Sequence, residues 1–229
     1  GYRVVAPDVR GFGKSDKPAK TQDYELTALV GDMINLLDTL GVEKAHVVGH
    51  DMGAVIAWIM GCFYPQRVNR LAVLSVGHPM ANREKRSIEQ REKAWYMLFF
   101  QFRDTAEALL TRDDWKLFRG ILRNHSEVEN WISDLSRPGA LTAALNWYRA
   151  NMGPERELAQ PVSIPGVKLP TLGIWSSGDA YLTEKPMLAS EAFVTGEWQY
   201  QRIDGASHWL QLDEPDRVNK ILLDFFAKR

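Results

Sequence analysis

The fold is decided by the stretch Val47-Val48-Gly49-His50-Asp51-Met52-Gly53-Ala54. A β-branched run ends at Gly49, and an apolar helical pattern over 53–64 follows at once. A strand-to-helix turn as tight as this needs small flanking residues, and Gly-x-Asp-x-Gly is typical of a nucleophile elbow. Such a turn lifts its central side chain, here Asp51, above the sheet at the N-terminus of the helix. An Asp before a helix is otherwise usually an N-cap, but the two glycines favour a nucleophile.

Around this turn, short apolar runs alternate with amphipathic helical patterns. Continuous apolar runs bounded by turn residues indicate strands buried on both faces, and therefore a mostly parallel sheet flanked by helices. The alternation predicts an open α/β fold. The predicted strands are 2–6, 45–49, 71–76, 171–175 and 198–203, and the predicted helices outside the middle of the chain are 26–40, 53–64, 184–193 and 214–227.

Residues 80–155 interrupt this alternation. They contain charged and aromatic helical stretches at 84–102, 105–110, 113–123, 126–134 and 139–150, and no strand pattern. The segment that follows, 153–170, holds four of the eleven prolines and is typical of a linker. We therefore predict a core built from 1–79 and 156–229, with 80–155 as a helical cap inserted over the sheet.

Composition excludes several classes of protein. The chain has 229 residues, is 45% hydrophobic and has a net charge of -1, so it is a soluble globular protein with no basic excess for nucleic acid. The longest apolar run is too short for a membrane segment. Its single cysteine excludes a disulfide framework and favours a reducing, cytoplasmic compartment. The five histidines never occur at metal-ligand spacing, so we predict no metal and no cofactor.

A carboxylate at the elbow restricts the chemistry. Asp51 is ionised at neutral pH and can attack without a base, unlike the serine of an esterase. Attack on a saturated carbon that bears a leaving group gives an alkyl ester, which water can hydrolyse. The substrates that this predicts are epoxides or alkyl halides.

Hydrolysis of such an ester needs a base and a group that orients it. His208 lies between the last predicted strand and the last helix, and it follows the nucleophile in the chain order typical of this elbow. Asp179 follows the strand 171–175, at the carboxyl end where sites of parallel sheets are built. We predict His208 as the base and Asp179 as the acid that orients it, with Asp204 as the alternative acid.

These features together resemble the α/β-hydrolase fold and, within it, the epoxide hydrolases. The resemblance covers essentially the whole chain. Three core segments carry it: Asp8-Val9-Arg10-Gly11-Phe12-Gly13-Lys14-Ser15, the elbow Gly49-His50-Asp51-Met52-Gly53, and Ser207-His208-Trp209. Two segments of the insertion resemble those that supply tyrosines in this family: Trp95-Tyr96-Met97-Leu98-Phe99-Phe100-Gln101 and Leu145-Asn146-Trp147-Tyr148-Arg149.

The resemblance implies further site residues. Tyr96 and Tyr148 would donate hydrogen bonds to the epoxide oxygen as it gains charge. The backbone N–H of Met52 would supply one half of an oxyanion hole. An apolar substrate pocket would be lined by Trp95, Phe99, Phe100, Trp147 and Trp209. The implied partners are a small apolar epoxide and water, and the expected assembly is a monomer or homodimer.

One family feature is missing from this sequence. The second oxyanion-hole donor of the family comes from an H-G-x-P loop upstream of the strand at 2–6, and no such motif occurs in these residues. His78-Pro79 cannot replace it, because it follows the strand after the elbow. We therefore expect the sequence to be a fragment that lacks the first strands of the sheet.

Two alternative functions remain open at this point. A dehalogenase would share the fold and the Asp nucleophile, but haloalkane dehalogenases usually have Trp directly after the nucleophile and haloacetate dehalogenases have Arg. Met52 can play neither part. A non-catalytic ligand-binding member of the fold would have no need of Asp51, Asp179 and His208 together.

Overall fold

The computed structural model describes residues 1–84, 87–157 and 163–228. Its sheet has four strands: Ala45–His50 (β1), Val68–Leu74 (β2), Thr171–Ser176 (β3) and Trp198–Ile203 (β4). All neighbours pair in parallel, and the strands lie side by side in chain order. The carboxyl ends of the strands therefore share one edge of the sheet. Four of the five predicted strands, and their parallel pairing, are confirmed.

Helices connect and flank these strands. Their bounds are Leu26–Thr39 (α1), Met52–Phe63 (α2), Pro79–Glu84 (α3), Ile88–Lys93 (α4), Trp95–Phe99 (α5), Thr105–Ile121 (α6), Val128–Leu135 (α7), Ala140–Asn151 (α8), Glu184–Ala189 (α9), Leu210–Asp213 (α10) and Pro215–Ala227 (α11). Short 3-10 turns occur at Thr21–Tyr24, Pro65–Arg67, Pro154–Glu157 and Ser190–Phe193. Among the described residues, no helix combines the length and the apolar character needed to cross a bilayer.

The helical middle of the chain is more broken than its sequence pattern. The predicted helix 84–102 becomes α4 and α5, which Ala94 separates. Residues 85 and 86 of that prediction lie outside the described ranges. Within α6 the backbone leaves the helical region from Arg112 to Trp115, so the chain breaks near the predicted boundary between 105–110 and 113–123, but the break extends into the first three residues of the second stretch.

The predicted strand at 2–6 is wrong. These residues form no strand and lie exposed, with 82% of Val4 accessible. A β-strand is stable only when its N–H and C=O groups pair with a neighbouring strand. Among the described residues no strand pairs with this segment, so its β-branched composition alone does not make it a strand.

The chain packs into two compact units. One consists of Ile34–Ala94 and Pro161–Arg229 and contains the sheet. Its core joins strand side chains to the C-terminal helix α11, and includes Leu74, Leu172, Ile174, Ile203, Ala206, Leu210, Val218 and Phe225. Because Ala206 and Leu210 belong to this cluster, the loop between β4 and α10 is anchored in the core at both ends.

The other unit consists of Gly1–Met33 and Trp95–Gln160. Asn151, at the end of α8, ties the N-terminal segment to the helices, since its side chain accepts the N–H of Leu26 and donates to the carbonyl of Tyr24, both at 2.8 Å. The sequence predicts a different division, with a core of 1–79 and 156–229 and a cap of 80–155, because it is based on where the strand patterns lie along the chain. That division stays a prediction.

Candidate active site

The elbow holds Asp51 in a strained backbone conformation. Asp51 lies between β1 and α2 with φ +49° and ψ −119°, a region that residues with side chains rarely adopt. The turn is closed by Gly49, where an added Cβ would lie 2.2 Å from the carbonyl oxygen of Gly53. A Cβ at Gly53 would meet no described atom within 4 Å. The close approach of residue 49 to the carbonyl of Gly53 is therefore possible only because residue 49 has no side chain.

Asp51 is also fixed to the neighbouring strand. Its N–H donates to the carbonyl of Leu74, the last residue of β2, at 3.3 Å. Met52 is the first residue of α2, so its N–H has no acceptor within the helix. The positive end of the helix dipole lies at the same place and favours negative charge there. The elbow thus presents a carboxylate beside a backbone donor.

His208 lies in the loop after β4, and two polar contacts hold that loop. Ser176 Oγ, at the end of β3, donates to the carbonyl of Ser207 at 2.6 Å. The N–H of Ser207 donates to the carboxylate of Asp213, on α10, at 2.7 Å. With Ala206 and Leu210 in the core, these contacts leave the His208 backbone little freedom. His208 as a whole is 6% exposed.

The structure brings Asp51, His208 and Asp179 together. Nδ1 of His208 lies 2.9 Å from Oδ2 of Asp179, a hydrogen-bond distance. A carboxylate can only accept, so Nδ1 carries the proton and Nε2 has the free lone pair. Nε2 lies 3.7 Å from Oδ1 of Asp51, too far for a direct hydrogen bond. The basic nitrogen therefore points toward the elbow without being bonded to it.

Asp179 is buried but well satisfied. Its Oδ1 accepts the N–H groups of Tyr181 and Leu182 at 2.8 and 2.9 Å. Burial by itself would raise the pKa of Asp179, but the hydrogen bond from His208 and these two N–H groups outweigh it and lower the pKa below its usual value. Asp179 is therefore a carboxylate at neutral pH.

The same contacts act on the base. Burial by itself would lower the pKa of His208, but the hydrogen bond to Asp179 and the charge of Asp51 raise it above its ordinary value. The alternative acid, Asp204, does not join this group. Its carboxylate is exposed and pairs with Arg202 at 2.7 Å.

Two residues that were not predicted from the sequence form a chain of hydrogen bonds that holds the backbone of His208. His50 Nε2 donates to the carbonyl of His208 at 2.8 Å, and Gln211 Nε2 donates to His50 Nδ1 at 3.2 Å. Burial, with the nearby imidazole of His208, lowers the pKa of His50 to about 4. His50 is thus neutral and adds no charge beside the base. Its place next to Asp51 was the one available signal, while nothing in the sequence marks Gln211.

Aromatic rings pack against the base. The ring of Tyr181 lies 5.1 Å from His208, and the ring of Trp209 lies 5.3 Å from it, both edge-on. Trp209, a predicted pocket residue, therefore lies beside the imidazole. These rings keep bulk water away from part of its surface.

In the other unit, Tyr96 and Tyr148 form a pair. Their ring centroids are 6.0 Å apart in a nearly perpendicular arrangement. Tyr96 is buried and Tyr148 is partly exposed. Arg149, next to Tyr148, donates to the carbonyl of Phe100 at 2.9 Å and binds Glu107 with both terminal nitrogens. The ion pair joins α8 to α6, and the hydrogen bond to Phe100 joins α8 to the residue that follows α5.

The remaining predicted pocket residues differ in burial. Trp147 is fully packed, and its indole N–H donates to the carbonyl of Arg10 at 2.8 Å. Phe100 is buried against Tyr148. Trp95 is 51% exposed, and Phe99 is partly exposed. Trp147 thus anchors the segment that carries the Asp-x-Arg-Gly motif, and the pocket role of these four residues stays a prediction.

Comparison with known proteins identifies the family of this chain. A family profile described as the alpha/beta hydrolase fold matches residues 1–215. Epoxide hydrolase 4 of Homo sapiens is 34% identical over 242 residues, which are 99% of this chain and 66% of that protein. Epoxide hydrolase A of Mycobacterium tuberculosis is 31% identical over 269 residues, covering 99% of this chain and 82% of that protein.

Solved structures show the same fold. The epoxide hydrolase of Bacillus megaterium, crystallised with an inhibitor, superposes with a TM-score of 0.85 at 24% identity over 96% of this chain and 82% of that one. The chain spans slightly less than two thirds of the length of several curated relatives, at 65% or 66%. By its profile match and its relatives, the chain belongs to the α/β hydrolase fold family, and within it to the branch of the epoxide hydrolases.

Proposed function

We propose that this protein is an epoxide hydrolase that opens an epoxide to a vicinal diol through an alkyl ester on Asp51. The observation that carries the proposal is the alignment of His208 between two carboxylates, 2.9 Å from Asp179 and 3.7 Å from Asp51. A base directed at the elbow is what hydrolysis of an Asp51 ester requires. The names of the related proteins support the same activity.

In the first step, a carboxylate oxygen of Asp51 attacks an epoxide carbon and forms a C–O bond. The ring C–O bond breaks, and its electron pair stays on the epoxide oxygen. Tyr96 and Tyr148 donate hydrogen bonds to that oxygen, and one of them gives it a proton. The product of this step is a hydroxyalkyl ester of Asp51.

In the second step, His208 Nε2 takes a proton from water, and the resulting hydroxide attacks the ester carbonyl carbon. The N–H of Met52 stabilises the oxyanion that forms. The bond between the carbonyl carbon and the alkyl oxygen then breaks, and the leaving alkoxide takes the proton from His208. The second hydrogen of that water is left on the Asp51 carboxyl group, and its proton returns through solvent to the tyrosine that protonated the epoxide oxygen, so both side chains regain their starting states. Asp51 keeps one oxygen from water, and the diol carries one oxygen from Asp51. The sum is epoxide plus water to diol.

Oxygen labelling tests this sequence of bonds. A single turnover of styrene oxide, with the protein in excess in oxygen-18 water, should give unlabelled diol and a labelled Asp51 peptide. Direct attack of water on the epoxide would place the label in the diol at once and would contradict the proposal. In parallel, His208→Gln should accumulate the ester on Asp51, visible by mass spectrometry, and Asp51→Ala should show neither ester nor turnover.

The substrate class and the surroundings of the protein are part of the proposal. The aromatic rings that pack against His208 support an apolar epoxide as the substrate. Halide release from an alkyl halide, without diol formation from any epoxide, would move the assignment to a dehalogenase.

The single cysteine supports a cytoplasmic location, which cell fractionation tests. We also propose a monomeric or homodimeric state, which light scattering tests.

A further inference from the structure

The short helix α4 presents two polar side chains on one face. Gln90 and Lys93 are one turn apart and half-buried, whereas Glu89 and Glu92 on the same helix are exposed. Ser87 caps the helix, since its Oγ accepts the N–H of Gln90 at 3.1 Å. The start of the helix is thus defined, and the two half-buried side chains have a fixed direction.

Gln90 binds the loop that carries Asp179. Its Nε2 donates to the carbonyl of Tyr181 at 2.8 Å. Its Oε1 accepts the N–H of Thr183 at 2.8 Å and the Thr183 hydroxyl at 3.0 Å. One amide side chain therefore makes three hydrogen bonds to residues on either side of Leu182.

Lys93 binds the other end of the same loop. Its Nζ donates to the carbonyl of Asp179 at 2.9 Å. Within the loop, the Asp179 carboxylate is fixed to the backbone by the N–H groups of Tyr181 and Leu182. The internal hydrogen bonds therefore fix the carboxylate relative to the loop, and the side chains of α4 hold the loop at both of its ends.

We infer that Gln90 and Lys93 are positioning residues that hold Asp179 in hydrogen-bonding register with His208, so that the hydrolytic step depends on α4. The inference rests on the proposed function, because it concerns the base of the ester-hydrolysis step. Neither residue is a nucleophile, acid or base of the reaction. Their effect is on the place of Asp179, and through it on the tautomer and basicity of His208.

The effect of Gln90 can be measured with a substitution that changes no charge around His208. The titratable groups around the His208 ring are Asp179, Asp51, His50 and Tyr181, with the Lys93 ammonium at the Asp179 backbone. Replacing neutral Gln90 by methionine leaves all these charges in place and keeps the length of the side chain. It removes the three hydrogen bonds to the loop.

The test measures the two chemical steps separately in the protein and its Gln90→Met variant. With styrene oxide as the probe, rapid quench and mass spectrometry give the rates of ester formation and ester decay. We expect about a tenfold slower decay in the variant with unchanged formation, because a displaced orienting group misplaces the base. The acid limb of the decay rate should also move to lower pH, because His208 loses part of the contact that makes it basic. Glu92→Gln, on the exposed face of α4, is the matched control and should leave both rates unchanged.

Lys93→Met provides a second test that is independent of the folding of the first variant. Removing a cation makes His208 easier to protonate, so the rate is compared on the alkaline plateau, where the base is neutral in both proteins. A slower plateau for decay alone supports the inference. Plateau decay rates equal to wild type in both variants, with an unmoved acid limb in Gln90→Met, would overturn it, and so would an equal fall of formation and decay. If the wild-type protein forms no ester at all, the proposed function itself fails, and the two failures are therefore distinct.

Discussion

Nδ1 of His208 donates to Oδ2 of Asp179 over 2.9 Å, and the second oxygen of that carboxylate is already occupied by two backbone N–H groups. Both oxygens of the Asp179 carboxylate therefore have hydrogen-bond partners, and these partners fix its orientation. The imidazole is held in one tautomer, with Nε2 directed toward Asp51. The geometry of a base exists before any substrate arrives.

Asp179→Asn should remove most of the activity without unfolding the protein. The amide that this substitution introduces can donate to Nδ1 and stabilise the wrong tautomer, so the steady-state rate should fall by about 10⁴-fold. Asp204→Asn is the matched control, because Asp204 is exposed and paired with Arg202, and it should change the rate little. The measurement is the steady-state rate of both variants. If Asp204→Asn lowered the rate more than Asp179→Asn, Asp204 would be the acid that orients His208.

The strained turn predicts opposite effects on stability and activity. Asp51→Gly and Asp51→Ala should both be inactive, but the glycine variant should be more stable than the alanine variant by about 1 kcal/mol, since glycine accepts a positive φ without strain. Urea denaturation gives the free energies of unfolding. Equal stability of the two variants would show that the elbow stores no strain at Asp51.

The two tyrosines should matter for ring opening alone. Each hydrogen bond to the developing charge is worth about 3 kcal/mol, so Tyr148→Phe should slow ester formation by about two orders of magnitude. Tyr96→Phe should act in the same direction, and the double variant should be far worse, because one remaining donor can partly replace the other. If the rings only pack, as their 6.0 Å edge-to-face contact would also permit, all three variants would form the ester at the wild-type rate.

Acid stability should depend on His78. This imidazole is buried, stacks on Phe193 at 4.8 Å and contacts Cys62 Sγ at 3.4 Å, and burial lowers its pKa to about 4. A folded-state pKa below the unfolded value of about 6.5 gives stability that is complete above pH 6.5 and decreases as the pH falls toward 4. The loss should be about 2 kcal/mol at pH 5.

The measurement is urea denaturation between pH 7.5 and 5 for the wild type and His78→Gln. The variant should start less stable at pH 7.5, where packing contacts are lost, and should then lose less stability on acidification. Parallel curves for the two proteins would mean that His78 is not the titrating group. His50, whose pKa is also about 4, is present in both proteins and contributes equally to each curve.

Much of the fold follows from local sequence signals. The strands at 45–49 and 171–175 are mostly apolar runs between turn residues, and helix α1 is followed by Gly41, which adopts φ +64° as a left-handed cap. The run at 2–6 has the same composition but does not form a strand, because strand formation depends on a partner that composition does not reveal. A local pattern thus predicts a strand only where the rest of the chain can pair with it.

In the candidate site, too, local sequence signals predict some residues and miss others. Asp51, His208 and Asp179 follow from chain order and strand ends, because a parallel sheet brings those ends to one edge. The supports of the site come from elsewhere in the chain. Gln90 lies 89 positions before Asp179 and Gln211 contacts His50 across the sheet edge, so only three-dimensional packing reveals them.

The pairing of β2 with β3 has a consequence for the evolution of this protein. Leu74 lies opposite Ile174 in adjacent strands, although the chain between them includes the whole helical middle segment. Both ends of that excursion are thus held by the ladder, whatever its length. Doubling the length of such a closed excursion costs only about 0.6 kcal/mol in chain entropy. Lineages can therefore lengthen, shorten or rebuild the segment that contains Tyr96 and Tyr148 while the strands and the acid-base pair stay as they are, and new substrate preferences can arise there by insertion and deletion.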